Sequence, residues 1–258
     1  MTMSYSRSGL CVSGAWQRWM PAFFALLLGL AISPICVADA NEDFFKATKM
    51  DNKVELQSLL RRGISPNLIE PERGETALML AVREGSMEAL SVLLNARGIK
   101  FDLRAKNGDT ALMIAAFKKN RPAVESLLAK GAQVNNDGWT ALHYAAAGGE
   151  TEIVELLIKR SAEIDAVSPN LTTPLMMAAG EGHIHAVKAL LDAGADLSRA
   201  NEQGFTAIDF AQKKGHVEIV EGLKYRKMRA EKRAAEAIEA ELKQQRPPIT
   251  ETRLPPSD

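Results

Sequence analysis

Apolar residues recur along most of the chain at helical intervals, in pairs of short segments punctuated by glycine. "TEIVELLI", residues 151–158, places Ile153, Val154, Leu157 and Ile158 on one helical face, which predicts a short amphipathic helix. "ALHYAAAGG" just before it predicts a second helix, rich in small residues and ended by Gly149. The same phrase recurs. Thr76-Ala77-Leu78, Thr110-Ala111-Leu112, Thr140-Ala141-Leu142, Thr173-Pro174-Leu175 and Thr206-Ala207-Ile208 follow one another at spacings of 34, 30, 33 and 33 residues. An earlier copy, "FFKATKMDNKVELQSLLRRG", lacks the threonine but aligns Ala47 with Ala81 and Leu60 with Leu94. Self-similarity at this period predicts a stacked array in which each unit lends its apolar face to its neighbours.

The residue types give each unit a local grammar. The threonine is placed to cap a first helix, and alanines such as Ala145 and Ala146 allow helices to approach closely. Gly85, Gly149, Gly182 and Gly215 end the first helices, where a left-handed residue is needed. Gly131 and Gly194 release the second helices into extended fingers that lead to the next threonine.

With "GDTALMIAA", "GWTALHYAAAGG", "TTPLMMAAGEGH" and "LLDAGADL" in place, the chain resembles the ankyrin-repeat family over roughly residues 42–223. The resemblance implies an all-α solenoid of about six helix-turn-helix units with short β-hairpin fingers, expected over residues 41–223. It also implies a non-enzymatic role in protein–protein interaction. The departures from the family pattern are local. The histidine that usually follows the Thr-x-Leu phrase is present as His143, and Met79, Met113, Met176 and Asp209 stand in its place elsewhere. Leu171 occupies a usual glycine position. The link from Gly131 to Thr140 is three residues shorter than the one from Gly194 to Thr206.

Both ends of the chain differ from the array. Arg7 and Arg18 precede an apolar run, "AFFALLLGLAI", then Ser33-Pro34 and an Ala38-Asp39-Ala40 site. This order predicts a signal peptide over residues 1–40, cut before Asn41, and a periplasmic or secreted protein. The alternative is an uncleaved inner-membrane anchor, because Met20–Val37 approaches spanning length. Ile35 before Cys36 is not the small residue that lipid attachment requires. Residues 224–246, "KYRKMRAEKRAAEAIEAELKQQR", predict a charged helical extension with a thin apolar stripe of Met228, Ala235, Ile238 and Leu242. The extension is read as a solvated cap on the last unit, with docking of a partner helix as the alternative. Residues 247–258, opened by Pro247-Pro248, read as a disordered tail.

Composition narrows the chemistry. Lys plus Arg and Asp plus Glu are equal at 32, so the formal net charge is zero. A broad nucleic-acid surface is not expected. The cysteines, Cys11 and Cys36, both precede the expected cut, so the mature chain has no thiol for disulfides, catalysis or metal. The sequence has no G-x-S-x-G, H-E-x-x-H or phosphate loop. Gly180-Glu181-Gly182 starts like a dinucleotide fingerprint but ends at His185, at a helix–helix turn with no strand before it. His183 and His185, two apart, cannot share a helical face, and a metal site would need ligands from distant units. Asn170-Leu171-Thr172 fits a glycosylation sequon of a kind common by chance. No cofactor and no metal are expected.

The expected function is surface recognition. By resemblance, the variable positions lie just before each threonine and at the end of each first helix: Glu75, Arg83, Glu84, Asp109, Phe117, Lys118, Trp139, Phe205, Lys213 and Lys214. Trp139 and Phe117 stand out, because large aromatics at exposed positions are enriched in binding hot spots; the alternative for Trp139 is packing against the shortened finger. The overall expectation is a monomeric, exported adaptor for a protein partner. Alternatives are a secreted effector acting on host proteins, or an enzyme or ligand-binding subunit whose site spans several units.

Overall fold

A computed structural model describes residues 34–245; the apolar run up to Ser33 and the tail from Arg246 lie outside them. Asn41 opens the compact unit that contains the repeats. Among the described residues there are twelve helices: α1 (Pro34–Lys49), α2 (Lys53–Arg61), α3 (Ala77–Glu84), α4 (Met87–Leu94), α5 (Ala111–Phe117), α6 (Arg121–Ala129), α7 (Ala141–Gly148), α8 (Thr151–Lys159), α9 (Pro174–Gly180), α10 (Ile184–Asp192), α11 (Ala207–Lys214) and α12 (Val217–Gln245). They form six consecutive pairs. The first helices α3, α5, α7, α9 and α11 stack in one row, and the second helices α2, α4, α6, α8 and α10 stack in another. The chain thus folds as an all-α solenoid.

The threonines do cap. Thr76, Thr110 and Thr173 each accept a hydrogen bond from the backbone N–H three residues on. In four units the third helical residue returns the bond to the cap's own N–H. Met113 Sδ accepts at 3.4 Å, His143 Nδ1 at 3.2 Å, Met176 Sδ at 3.5 Å and Asp209 Oδ2 at 2.7 Å. At Met113, Met176 and Asp209 the departure from histidine therefore keeps the bond to the cap with a different acceptor.

Between the rows lies one continuous apolar core. Leu78, Leu112, Leu142 and Leu175 are each at most 1% exposed, and Ala81, Ala115, Ala145 and Ala179 are fully buried. The small alanines bring neighbouring first helices close enough for imidazoles to bridge units. His183 Nε2 donates to Ala147 O at 2.9 Å, and His216 Nε2 donates to Gly180 O at 3.1 Å. Gly149 and Gly182 make room for these rings. A Cβ on Gly149 would lie 2.3 Å from His183, one on Gly182 would lie 2.6 Å from His216, and both glycines have positive φ.

A second set of ties was not apparent in the sequence. Asn67 donates to Gly98 O and accepts from Lys100 N, both at 2.8 Å, and Asn135 makes the same pair of bonds with Ser161 O and Glu163 N. Asp102 accepts from Gln133 N, and Asp165 from Asp196 N. These Asn and Asp side chains join the end of one unit to the end of the next.

The fingers differ from the expected β-hairpins. Among the described residues a single isolated antiparallel bridge forms, Ile69 with Thr76. In three other fingers one backbone hydrogen bond joins the two arms, Ala105 N to Asp109 O, Ser168 N to Thr172 O and Asn201 N to Phe205 O, and a second closes the tight turn within, Gly108 N to Ala105 O, Leu171 N to Ser168 O and Gly204 N to Asn201 O. Arms this short leave no room for a ladder. Leu171 takes the left-handed conformation, φ 59°, that Gly74, Gly108, Gly138 and Gly204 adopt in the other turns. A branched side chain is strained there, yet Leu171 remains 44% exposed.

Candidate protein-binding edge

The capping threonines phase the surface. The residue before each threonine sits at the base of a turn, and the residues four, seven and eight later line the same side of the first helix. At the position before the threonine the chain carries Glu75, Asp109, Trp139, Thr172 and Phe205, and four after it Leu80, Ile114, Tyr144, Met177 and Phe210. Toward the C-terminus the second set changes from buried aliphatic residues to the half-buried Tyr144, Met177 and Phe210, and the first set gains Trp139 and Phe205 while keeping the buried Thr172.

Glu75 departs from the expected exposed edge. It is 2% exposed and ion-paired with Arg83, which is itself half-buried. The pair satisfies a carboxylate that is enclosed between turn and helix, so the Glu75 charge is closed to a partner while the Arg83 side chain stays 25% exposed. Glu84 and Lys118 are exposed at the ends of α3 and α5. Asp109 is half-buried and accepts from Tyr144 Oη at 2.6 Å and Asn107 Nδ2 at 2.6 Å.

Phe117 is 57% exposed, and Trp139 is half-buried. The two do not face each other across a gap. Tyr144 fills the space between them, edge-on to Phe117 at 5.9 Å and tilted against Trp139 at 6.4 Å. Trp139 also meets the His143 ring edge at 5.2 Å. The shortened finger is tied down by Arg104, which donates to Asn136 Oδ1 and Asp137 O. Sequence reasoning missed Tyr144. The signal was available in its phase, since the position four after each threonine always holds a bulky side chain. Burial and then the Asp109 carboxylate hold its phenol above the usual range, so it stays a neutral hydrogen-bond donor.

The open space lies on the other side of Trp139. A cleft of about 710 Å³ runs from Trp139 across the next two units, with Met177, Phe205 and Phe210 as its apolar wall and Asn170, Asn201 and Gln212 as polar lining. Lys213 and Lys214 stand at its rim. Lys213 Nζ lies 5.6 Å from the Phe205 ring centroid, and Lys214 is 4.0 Å from Glu181. Hydrogen bonds from the Thr206 hydroxyl and N–H hold the Asp209 carboxyl below the usual range, so this anion is committed to the cap. Of the expected site residues, Trp139, Phe205, Lys213 and Lys214 are brought together here. Phe117 and Asp109 join them through Tyr144, whereas Glu75, Arg83 and Glu84 lie two units away.

The histidines of the array serve its own structure. His143 is fully buried; its Nδ1 lies 2.9 Å from Thr140 Oγ1 and its Nε2 donates to Thr172 O at 2.9 Å. Nδ1 is thereby committed to the cap of its own helix and Nε2 to the next unit, as are the Nε2 atoms of His183 and His216 that bridge units. Among the described residues no group of three or more His, Cys, Asp and Glu is placed to hold a metal.

Comparison with known proteins agrees with this architecture. The sequence matches the family described as "Ankyrin repeats (3 copies)" over residues 44–136, 97–168 and 161–234. It is similar to human "SH3 and multiple ankyrin repeat domains protein 2", 39% identical over 115 residues, which is 43% of this chain and 6% of that protein. It is also similar to human "Transient receptor potential cation channel subfamily A member 1", 34% identical over 136 residues, 48% of this chain and 12% of that protein. An ankyrin repeat protein of fowlpox virus is 32% identical over 154 residues, 57% of this chain and 45% of that protein. The chain thus spans less than half the length of each of these relatives. With matches running from residue 44 to 234 and six stacked helical pairs, this chain belongs to the ankyrin-repeat family.

Proposed function

We propose that this protein is an exported, non-enzymatic adaptor that holds a partner protein against the Trp139 edge. The observation that carries the reading is the clustering of half-exposed aromatic and apolar side chains at the threonine-phased positions of the last three units. Trp139, Met177, Phe205 and Phe210 line one cleft there with a lysine rim, and Tyr144 packs against Trp139. A surface of this kind suits a protruding apolar side chain of a partner, with polar groups fixing its orientation. The stacked units hold these side chains on rigid helices, which lowers the ordering cost of binding.

Export is supported by the arginine-flanked apolar run and the small-residue site at residues 38–40. That site lies within α1, and no described helix is long and apolar enough to cross a membrane. Cleavage before Asn41 would shorten α1 and leave the array intact. Mass spectrometry of the native protein should show a start near Asp39 or Asn41. An intact Met1 in the membrane fraction would support the anchor instead. Capture from periplasmic extract, with the mature chain as bait, then identifies the partner. Recovery of no protein from periplasm or culture medium would count against the adaptor reading, and a bound small molecule in the native protein would favour a ligand-binding subunit.

A further inference from the structure

The cleft beside Trp139 carries a polar pattern that apolar contact does not explain. Asn201 lines it and is 6% exposed. Its side-chain oxygen accepts from Gln203 N at 3.0 Å and from Phe205 N at 2.9 Å, which closes the turn and orients the amide. Nδ2 is left without a partner among the described residues. Thr172 lines the same cleft and is 2% exposed. Its N–H donates to Ser168 Oγ and its carbonyl accepts from His143 Nε2, yet its hydroxyl makes no hydrogen bond among the described residues. Buried polar groups are normally paired, and leaving one unpaired is costly, so two such groups in one cleft call for an acceptor from outside the chain.

Charge points the same way. Among the residues that line the cleft Asp209 is the acid, and its carboxylate accepts from the Thr206 N–H and hydroxyl. Lys213 and Lys214 are the bases. Lys214 is shared with Glu181 at 4.0 Å, whereas Lys213 has no ion pair among the described residues and rests over the Phe205 ring. A carboxylate arriving at this rim therefore meets a cation already held in place. The cleft is also elongated. From Trp139 to Phe205 it crosses two unit-to-unit steps of about 8–10 Å, the usual separation of packed helices. That distance is spanned by about five or six residues of extended chain.

We propose, building on the adaptor reading, that this cleft takes an extended peptide segment of a partner protein in which an acidic residue lies close to a bulky apolar one. The apolar side chain packs against Trp139 and the wall of Met177, Phe205 and Phe210. Asn201 Nδ2 and the Thr172 hydroxyl donate to backbone carbonyls of the segment, and the acidic side chain meets Lys213.

The test selects random dodecapeptides displayed on phage against the purified full-length chain. Enriched peptides should carry Asp or Glu within about six residues of a Trp, Phe, Leu or Met. With Lys213→Glu and Lys214→Glu together, the enriched peptides should carry Lys or Arg at that place instead. Asn201→Asp keeps the acceptor that closes the turn and removes the free donor. It should weaken binding of a synthetic copy of the best wild-type peptide at least about tenfold, with wild-type helicity by circular dichroism. Thr172→Val removes the other free donor alone and should act in the same direction. Peptides that need Trp139 but show no acidic preference, or whose affinity neither donor substitution changes, would overturn this assignment and leave the adaptor reading standing. Peptides indifferent to Trp139→Ala would count against both, and a selection that enriches no peptide would overturn this one.

Discussion

Leu142→Ala should remove about 2–5 kcal/mol of stability, the range of large-to-small substitutions in well-packed cores. Leu142 is 1% exposed and belongs to α7, which packs on both α5 and α9. A stacked array is stabilised by its units and by the interfaces between neighbours, so a cavity in a central unit weakens two interfaces at once. The equivalent side chain of the last unit, Ile208, is only half-buried. Ile208→Ala should therefore cost clearly less than Leu142→Ala. Urea denaturation followed by circular dichroism measures both. A loss below about 0.5 kcal/mol at Leu142, typical of surface substitutions, would show that the side chain does not lie in the core.

The second large effect is a loss of stability on acidification that can be traced to His143. Burial pushes its imidazole down to about 4, although the carbonyl of Thr172 favours the charged form. The neutral ring is the one that fits, since Nδ1 accepts from Thr140 N–H at 3.2 Å while Nε2 donates. In the unfolded chain the ring titrates near the ordinary value of about 6.5. Because the folded value is the lower one, the unfolded chain takes up the proton first. The His143 contribution is therefore complete above about pH 6.5 and is lost as pH falls toward 4. The full loss is about 3 kcal/mol, of which about 2 kcal/mol is gone by pH 5. His143→Met keeps a cap acceptor, as Met113 and Met176 do in their units. It removes the donor to Thr172 O and should cost about 1–2 kcal/mol at pH 7.5. The gap between the two proteins should close as the pH is lowered to 5. Parallel stability profiles for wild type and His143→Met would contradict the assignment.

The sequence disclosed the array because each structural role in it is repeated. Thr76, Thr110, Thr140, Thr173 and Thr206 mark the helix starts, and the alanines and leucines after them mark the core. Five copies of one pattern reinforce a signal that is weak in any single copy. The fingers were less legible, because a single bond between the arms and a β-ladder use similar residues. The surface was only partly legible. Position in the repeat identifies Trp139, Phe205, Lys213 and Lys214, but not that Glu75 is neutralised by Arg83, since that depends on the depth of one turn. Nor does it show that Tyr144 separates Phe117 from Trp139, because two units supply those rings. The Asn67 and Asn135 ties escaped for the same reason: each is a polar residue in a loop until the next unit is placed beside it.

The most direct measurement for the adaptor reading is the affinity of the captured partner for Trp139→Ala compared with wild type. Trp139 joins the aromatic cluster to the cleft, and truncating a buried anchor of this kind typically costs 2 kcal/mol or more, about thirtyfold in Kd. Isothermal titration calorimetry should show at least that loss for Trp139→Ala, with helicity and Tm close to wild type. Ile184→Ala, at an exposed position on the second-helix row, should bind normally. A folded Trp139→Ala protein that binds its partner with unchanged affinity would contradict the account.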